Sequence, residues 1–142
     1  MDTSYKLPAQ TRIGHVHLKV SDLKKSILFY ESFGWKVNPQ FSDETAACIV
    51  ISPEIYVMVL THPKFQEFTS RKLVDANQHT EVITALSAES KDEVNALMEK
   101  GLANGGKEFR DPMDYGFMFN RAICDPDGHI WEFFWMDPSA MQ

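Results

Sequence analysis

Glu132 is the residue with the most to explain. It sits in Asp125-Pro126-Asp127-Gly128-His129-Ile130-Trp131-Glu132, and Trp131, Phe133, Phe134 and Trp135 make its surroundings strongly apolar. An ionised carboxylate removed from water without a partner is costly. Glu132 therefore needs a cation, a hydrogen-bond donor or a wet cavity. His15 and His17 are the natural imidazoles to set beside it, since two residues apart in an alternating segment they share one face. A His15–Glu132 hydrogen bond would raise the proton affinity of the histidine and make an acid/base pair near neutral pH. Arg121, on the neighbouring strand of the same hairpin, offers Glu132 an ion pair instead. Each residue also has an ordinary reading: a strand histidine more often makes a surface or core hydrogen bond than it holds a metal or moves a proton.

These side chains must be carried by strands. Residues 12–20 alternate, with Val16, Leu18 and Val20 on one side and His15, His17 and Lys19 on the other. Ser21 or Asp22 caps a helix to about Phe33, and Gly34 ends it. A strand starts at Trp35. The apolar runs 45–52 and 55–61, joined by Ser52-Pro53-Glu54, form a hairpin. Residues 63–78 are polar without a clear period and read as a linker with a short helix. Then the order returns: a strand over 81–88, a helix over 91–100 with Val94, Leu97 and Met98 on its buried stripe, a short strand over 107–110 and a loop over 111–115. A second hairpin follows, 116–124 and 130–136, turned by Asp125-Pro126-Asp127-Gly128.

The chain is thus a β-α-β-β-β unit written twice, at an offset of about 70 residues. Leu18-Lys19-Val20-Ser21-Asp22 overlies Leu86-Ser87-Ala88-Glu89-Ser90, His15 overlies Ile83, and Met58 overlies Glu132. One helix covers one face of each half. The other face must be covered by the second half or by another subunit, which gives an α+β fold: a curved eight-stranded sheet around a cleft. The domain organisation expected is a loose leader over residues 1–10, then one domain over 11–142 with module one over 11–62, the linker 63–78 and module two over 79–136.

A net charge of −6 and the lack of a basic cluster with interleaved aromatics argue against nucleic acid. Residues 1–10 lack the pattern of a signal peptide, and no apolar run approaches the roughly 18 residues a membrane span needs. A soluble, cytoplasmic protein is expected. Cys48 and Cys124 are not a close pair and read as reduced, buried thiols.

His15-Val16-His17-Leu18-Lys19-Val20-Ser21-Asp22-Leu23 running into Ser26-Ile27-Leu28-Phe29-Tyr30, with Asp125 to Glu132 and the paired halves, resembles the vicinal oxygen chelate superfamily over about residues 12–136. That superfamily includes glyoxalase I, extradiol dioxygenases and the bleomycin- and fosfomycin-resistance proteins. The resemblance implies ligands on the first and last strands of each half converging on a divalent ion such as zinc, nickel, manganese or iron, with a metal-free cleft as the alternative. His15 matches the first-strand ligand and Glu132 the last-strand carboxylate. Met58 and Ile83 replace the other two, which leaves fewer than the three protein ligands of an ordinary catalytic site. Glu81, two residues before Ile83 on the same face, is a substitute ligand or a rim carboxylate.

Three functions follow from the resemblance. The first is a glyoxalase-like lyase or isomerase: a cation at His15 and Glu132, completed by Glu81 or water, polarises a small oxygenated substrate, and Glu132 or a metal-bound water moves the proton. The second is a metal-free binding protein of the bleomycin-resistance kind, sequestering a cationic or planar compound. The third, an extradiol dioxygenase, needs a histidine where Ile83 stands. His17, Tyr115, Phe117 and Arg121 are the residues expected to touch a small-molecule ligand, with Asp114 as a further polar contact; a run such as Phe117-Met118-Phe119 is more often plain core. His79 reads as linker surface and His129 as shaping the turn. Because the family often pairs or swaps modules between chains, a homodimer is expected.

Overall fold

The computed structural model describes residues 11–141, so the expected leader lies outside the described residues. The chain runs β1 (Val16–Val20), α1 (Leu23–Glu31), β2 (Lys36–Asn38), β3 (Ala46–Ser52), β4 (Ile55–Thr61), α2 (His62–Gln66), β5 (Ile83–Ser87), α3 (Lys91–Leu102), β6 (Lys107–Asp114), β7 (Met118–Cys124) and β8 (Ile130–Met136), with short 3₁₀ turns at Pro39–Phe41 and Pro138–Met141. The eight strands make two four-stranded sheets of like order, β1-β4-β3-β2 and β5-β8-β7-β6. In each, the first and last strands of the half pair in parallel and the others antiparallel. The α+β class and the doubled β-α-β-β-β order are those read from the sequence. The eight strands expected around a cleft are arranged as two four-stranded sheets, one from each half.

Local chemistry sets the element ends. The Asp22 carboxylate accepts from the Lys25 N–H and caps α1, and Gly34, at φ +92°, takes the left-handed turn past its end. Ser90 caps α3 through the Glu93 N–H, while the Glu93 carboxylate reaches back to the Glu89 N–H at 2.6 Å. Two strands differ from the sequence reading. β1 starts at Val16 rather than Arg12. β6 runs on through the residues expected to form a loop, because two register shifts, between Glu108 and Arg110 and between Arg110 and Met113, let Pro112 pass through an irregular edge strand.

Period-two alternation divides each sheet into a covered and an open face. Trp131 and Phe133 of β8 join Val20, Phe29, Tyr30, Phe33, Ile49, Val57, Val59, Val94, Met98 and Ile123 in one core that unites the two halves beneath α1 and α3. Tyr30 and Trp35 pack on Trp131, and Phe33 on Phe133. Residues of opposite phase face the other way, and in β5 that face is open: Ile83 is 47% exposed, and Ala85 and Ser87 are exposed. On the first sheet the matching face is partly covered by α2, which packs on β1 and β4.

Candidate functional site

The turn before Glu132 is built around Asp125. This carboxylate is 3% exposed and accepts four hydrogen bonds: from the Tyr30 hydroxyl at 2.5 Å, the His129 ring Nδ1–H at 2.7 Å, and the Asp127 and His129 backbone N–H groups at 2.9 and 2.8 Å. The Tyr30 hydroxyl accepts in turn from Trp131 Nε1–H at 3.1 Å. Burial, and then the Asp125 charge and hydrogen bond, push the Tyr30 phenol well above its usual range, so it stays a donor. Asp127 Oδ1 accepts from the Ser21 N–H at the head of α1. Gly128 turns at φ +94°, and a Cβ there would lie 2.5 Å from Asn77 Oδ1 and 2.8 Å from the Asn77 backbone nitrogen. The stretch thus ties module two to α1 and the linker, and His129 turns back onto Asp125.

Glu132 comes out of this turn on the open face. It lies in a row across the second sheet: Ala85, Glu132, Ala122, Arg110. Arg110 Nη2 stands 3.4 Å from Glu132 Oε1 and donates to Asn120 Oδ1 at 2.7 Å. The Arg110 and Glu132 side chains are about one-fifth exposed, and Asn120 is buried. Arg110 therefore supplies the ion pair proposed for Arg121. Arg121 is one residue out of phase: it pairs in register with Phe133, on the covered face, where it donates to Glu108 at 3.0 Å and Asn95 at 3.0 Å and lies 3.6 Å from Glu99. Arg110 lies within the strand expected over 107–110, but only the register shift between Glu108 and Arg110 sets it opposite Ala122, beside Asn120 and Glu132.

The corresponding row of the first sheet is His17, Met58, Cys48, Asn38. His17 thus takes the place of Ala85 and Met58 that of Glu132, so the strand pairing reproduces the overlay found in the sequence. His15 stands just ahead of β1, its Nε2 2.8 Å from His17 Nε2 with the rings stacked at 4.7 Å. One nitrogen must donate and the other accept. Phe68 meets the His17 ring edge-on at 4.9 Å. Burial, and then the neighbouring His15 charge, lower the His17 pKa.

Within the chain His15 is partnered by His17 and Glu132 by Arg110. Glu81 is exposed in the linker exit, beside a cavity lined also by His17 and His79. Tyr115 and Phe117 are more than half exposed at the β6–β7 turn, ring centroids 6.4 Å apart, and are not part of the core. Asp114 accepts from the Gly116 N–H and lies 3.4 Å from Lys91 Nζ; the Gly116 bond, chiefly, lowers its pKa.

A divalent ion fits this arrangement poorly. Among the described residues no three His, Cys, Asp or Glu side chains gather to hold one. A cation on Glu132 would also have the Arg110 guanidinium on the same carboxylate, where like charges repel.

Two like-ordered sheets, each with its first and last strands paired in parallel and one helix, define a glyoxalase-type fold. The family model of the Glyoxalase/Bleomycin resistance protein/Dioxygenase superfamily matches residues 12–133, and the chain belongs to that superfamily. It is 30% identical over 129 residues to the trivalent organoarsenical cleaving enzyme of Bacillus sp. (strain MD1), a match spanning 87% of this chain and 73% of that protein. It is similar to a solved hypothetical protein from S. aureus, with a TM-score of 0.75 at 26% identity over 94% of this chain and 99% of that one. It is also similar to a glyoxalase-related enzyme from Fulvimarina pelagi, with a TM-score of 0.73 at 25% identity over 87% of each chain. Among the described residues no helix is long and apolar enough to cross a membrane.

Proposed function

We infer that the protein is a metal-free small-molecule-binding member of the superfamily, cytoplasmic and homodimeric, whose ligand is held on the open face by Arg110, Asn120 and Glu132. The observation that carries this reading is the 3.4 Å contact between Arg110 Nη2 and Glu132 Oε1. It satisfies the carboxylate without a metal and leaves on one face a donor, an acceptor and the buried Asn120 amide, the few convergent polar groups a ligand site needs. Pairing with a second copy is motivated by the open face itself: a sheet bearing exposed Ile83 and Ala85 needs a cover before it can enclose anything.

The chemistry of the organoarsenical-cleaving relative is not carried over. Trivalent arsenic seeks thiolates. Cys48 and Cys124 sit in different sheets, and burial raises both thiol pKa values, with the Asp125 charge adding to the effect at Cys124.

A second reading, the metal-dependent lyase or isomerase, is favoured by one observation: two imidazole nitrogens 2.8 Å apart at His15 and His17. Set against Glu132 from a second copy, they would form a two-histidine, one-carboxylate set. Metal analysis of protein purified without chelator separates the readings. The metal-free reading expects well under one divalent ion per chain. A full complement of metal that both His15→Ala and Glu132→Gln abolish would overturn it. The dioxygenase reading stands last, because Ile83 offers no imidazole; oxygen uptake with a catechol would revive it.

A further inference from the structure

A cavity of about 420 Å³, lined by neither Arg110 nor Glu132, lies where the linker crosses the seam between β1 and the β5–β8 pair. Its charge is opposite to that of the molecule. The chain carries a net −6, yet Lys19, Arg71 and Lys72 line this cavity against a single carboxylate, Glu81. Among the described residues, none of the three cations lies within 4.0 Å of a carboxylate. Three histidines, His17, His79 and His129, add hydrogen-bonding capacity beside them. Leu18 and Ile130 from the strands, Leu73 and Val74 from the linker, and Trp131 supply the apolar part of the lining, with Thr69, Thr80 and Thr84 adding hydroxyls.

We propose that this cavity is a binding site for a small organic monoanion, a carboxylate or sulfonate on an apolar body of about one ring. Cations without a carboxylate partner among the described residues, set in a concave, partly apolar pocket, attract and orient such an anion, and a volume in the lower part of the usual ligand range limits its size. Two features give selectivity. Glu81 at the rim repels dianions and phosphate more strongly than monoanions, and the apolar lining disfavours fully hydrated inorganic ions. Arg71 and Lys72 are exposed linker residues outside the core, so the site can be altered without disturbing the fold.

The test uses benzoate, its neutral isostere benzamide, and inorganic phosphate as probes, read by amide chemical shifts of the full chain. Benzoate titrated to roughly 10 mM should give saturable shifts in residues 71–74 and 128–131, the range in which a ligand of this size binds detectably. Benzamide and phosphate should each bind at least several-fold more weakly. Arg71→Ala/Lys72→Ala should weaken benzoate by about fivefold or more, the scale of two partly exposed charge contacts. Glu132→Gln should leave benzoate binding unchanged. The proposal is overturned if benzamide binds as well as benzoate, if phosphate matches it, if Glu132→Gln weakens it as much as the linker double variant, or if no saturable shift develops in these segments.

Discussion

Tyr30→Phe tests whether Asp125 is the post on which the two halves are hung. The substitution keeps the ring and its contacts with Phe29, Trp35 and Trp131, at centroid distances of 5.0, 6.0 and 5.6 Å, and removes only the hydroxyl. Two interactions go with it. The hydrogen bond to the buried Asp125 carboxylate involves a charged acceptor and is worth about 1.5–3 kcal/mol. The Trp131 Nε1–H, in a side chain 2% exposed, is left without its acceptor at a further cost of about 1–3 kcal/mol. Together these predict a loss of about 2.5–6 kcal/mol, a large part of a typical domain's stability, and a fall in Tm of roughly 8–20 °C. Urea unfolding followed by tryptophan fluorescence measures it. Asp125→Asn and the double variant complete a cycle, and the two changes should be strongly sub-additive because they remove the same bond. A loss below about 1 kcal/mol, or strict additivity, would refute the account, since it would mean the hydroxyl and the carboxylate contribute independently or that water replaces the bond at little cost.

Gly128→Ala should cost about 2–4 kcal/mol, combining left-handed backbone strain with overlap against the Asn77 backbone, and Asn77→Ala should recover only part of it because that backbone nitrogen stays in place; thermal unfolding of the two variants and their combination checks this. The lowered His17 pKa predicts a pH dependence of definite sign. Above the ordinary value of 6.5 the ring is neutral in both folded and unfolded chains and contributes nothing; below it the unfolded chain takes up the proton first, so stability falls with pH until the folded ring also protonates. His17→Asn should remove this component in urea midpoints measured below pH 6.5. It should leave the lower acid limb, set by the depressed Asp43, Asp114 and Asp137 carboxyls, which lose their contribution only as pH falls below 3.8.

The fold was legible because its signals are local and repeated. The apolar alternation of β8, the caps at Asp22 and Ser90 and the Gly128 turn each specify one short piece of backbone, and the doubled order confirms each piece by its counterpart. What failed did so where tertiary pairing overrides local preference. Residues 111–115, with Pro112 and two acids, read as a loop, yet β7 recruits 111–114 as an irregular edge strand because its outer partners are otherwise unpaired. The grouping of the eight strands into one four-stranded sheet per half follows the doubled order itself.

The site was legible row by row and illegible across rows. Strand phase alone puts His15 and His17 together and sets Glu132 against its counterpart Met58, and the registers of β1 with β4 and of β5 with β8 reproduce that correspondence. The partner of Glu132 depends on two registers: that of β7 with β8 turns Arg121 to the Phe133 side, and the shift between Glu108 and Arg110 in β6 sets Arg110 opposite Ala122 in the Glu132 row; no composition or period encodes such a shift. The two rows, His17-Met58-Cys48-Asn38 and Ala85-Glu132-Ala122-Arg110, carry complementary chemistry at equivalent positions: imidazole and thioether in one, carboxylate and guanidinium in the other. A repeat in which each half lacks what the other has is no longer two copies of one site.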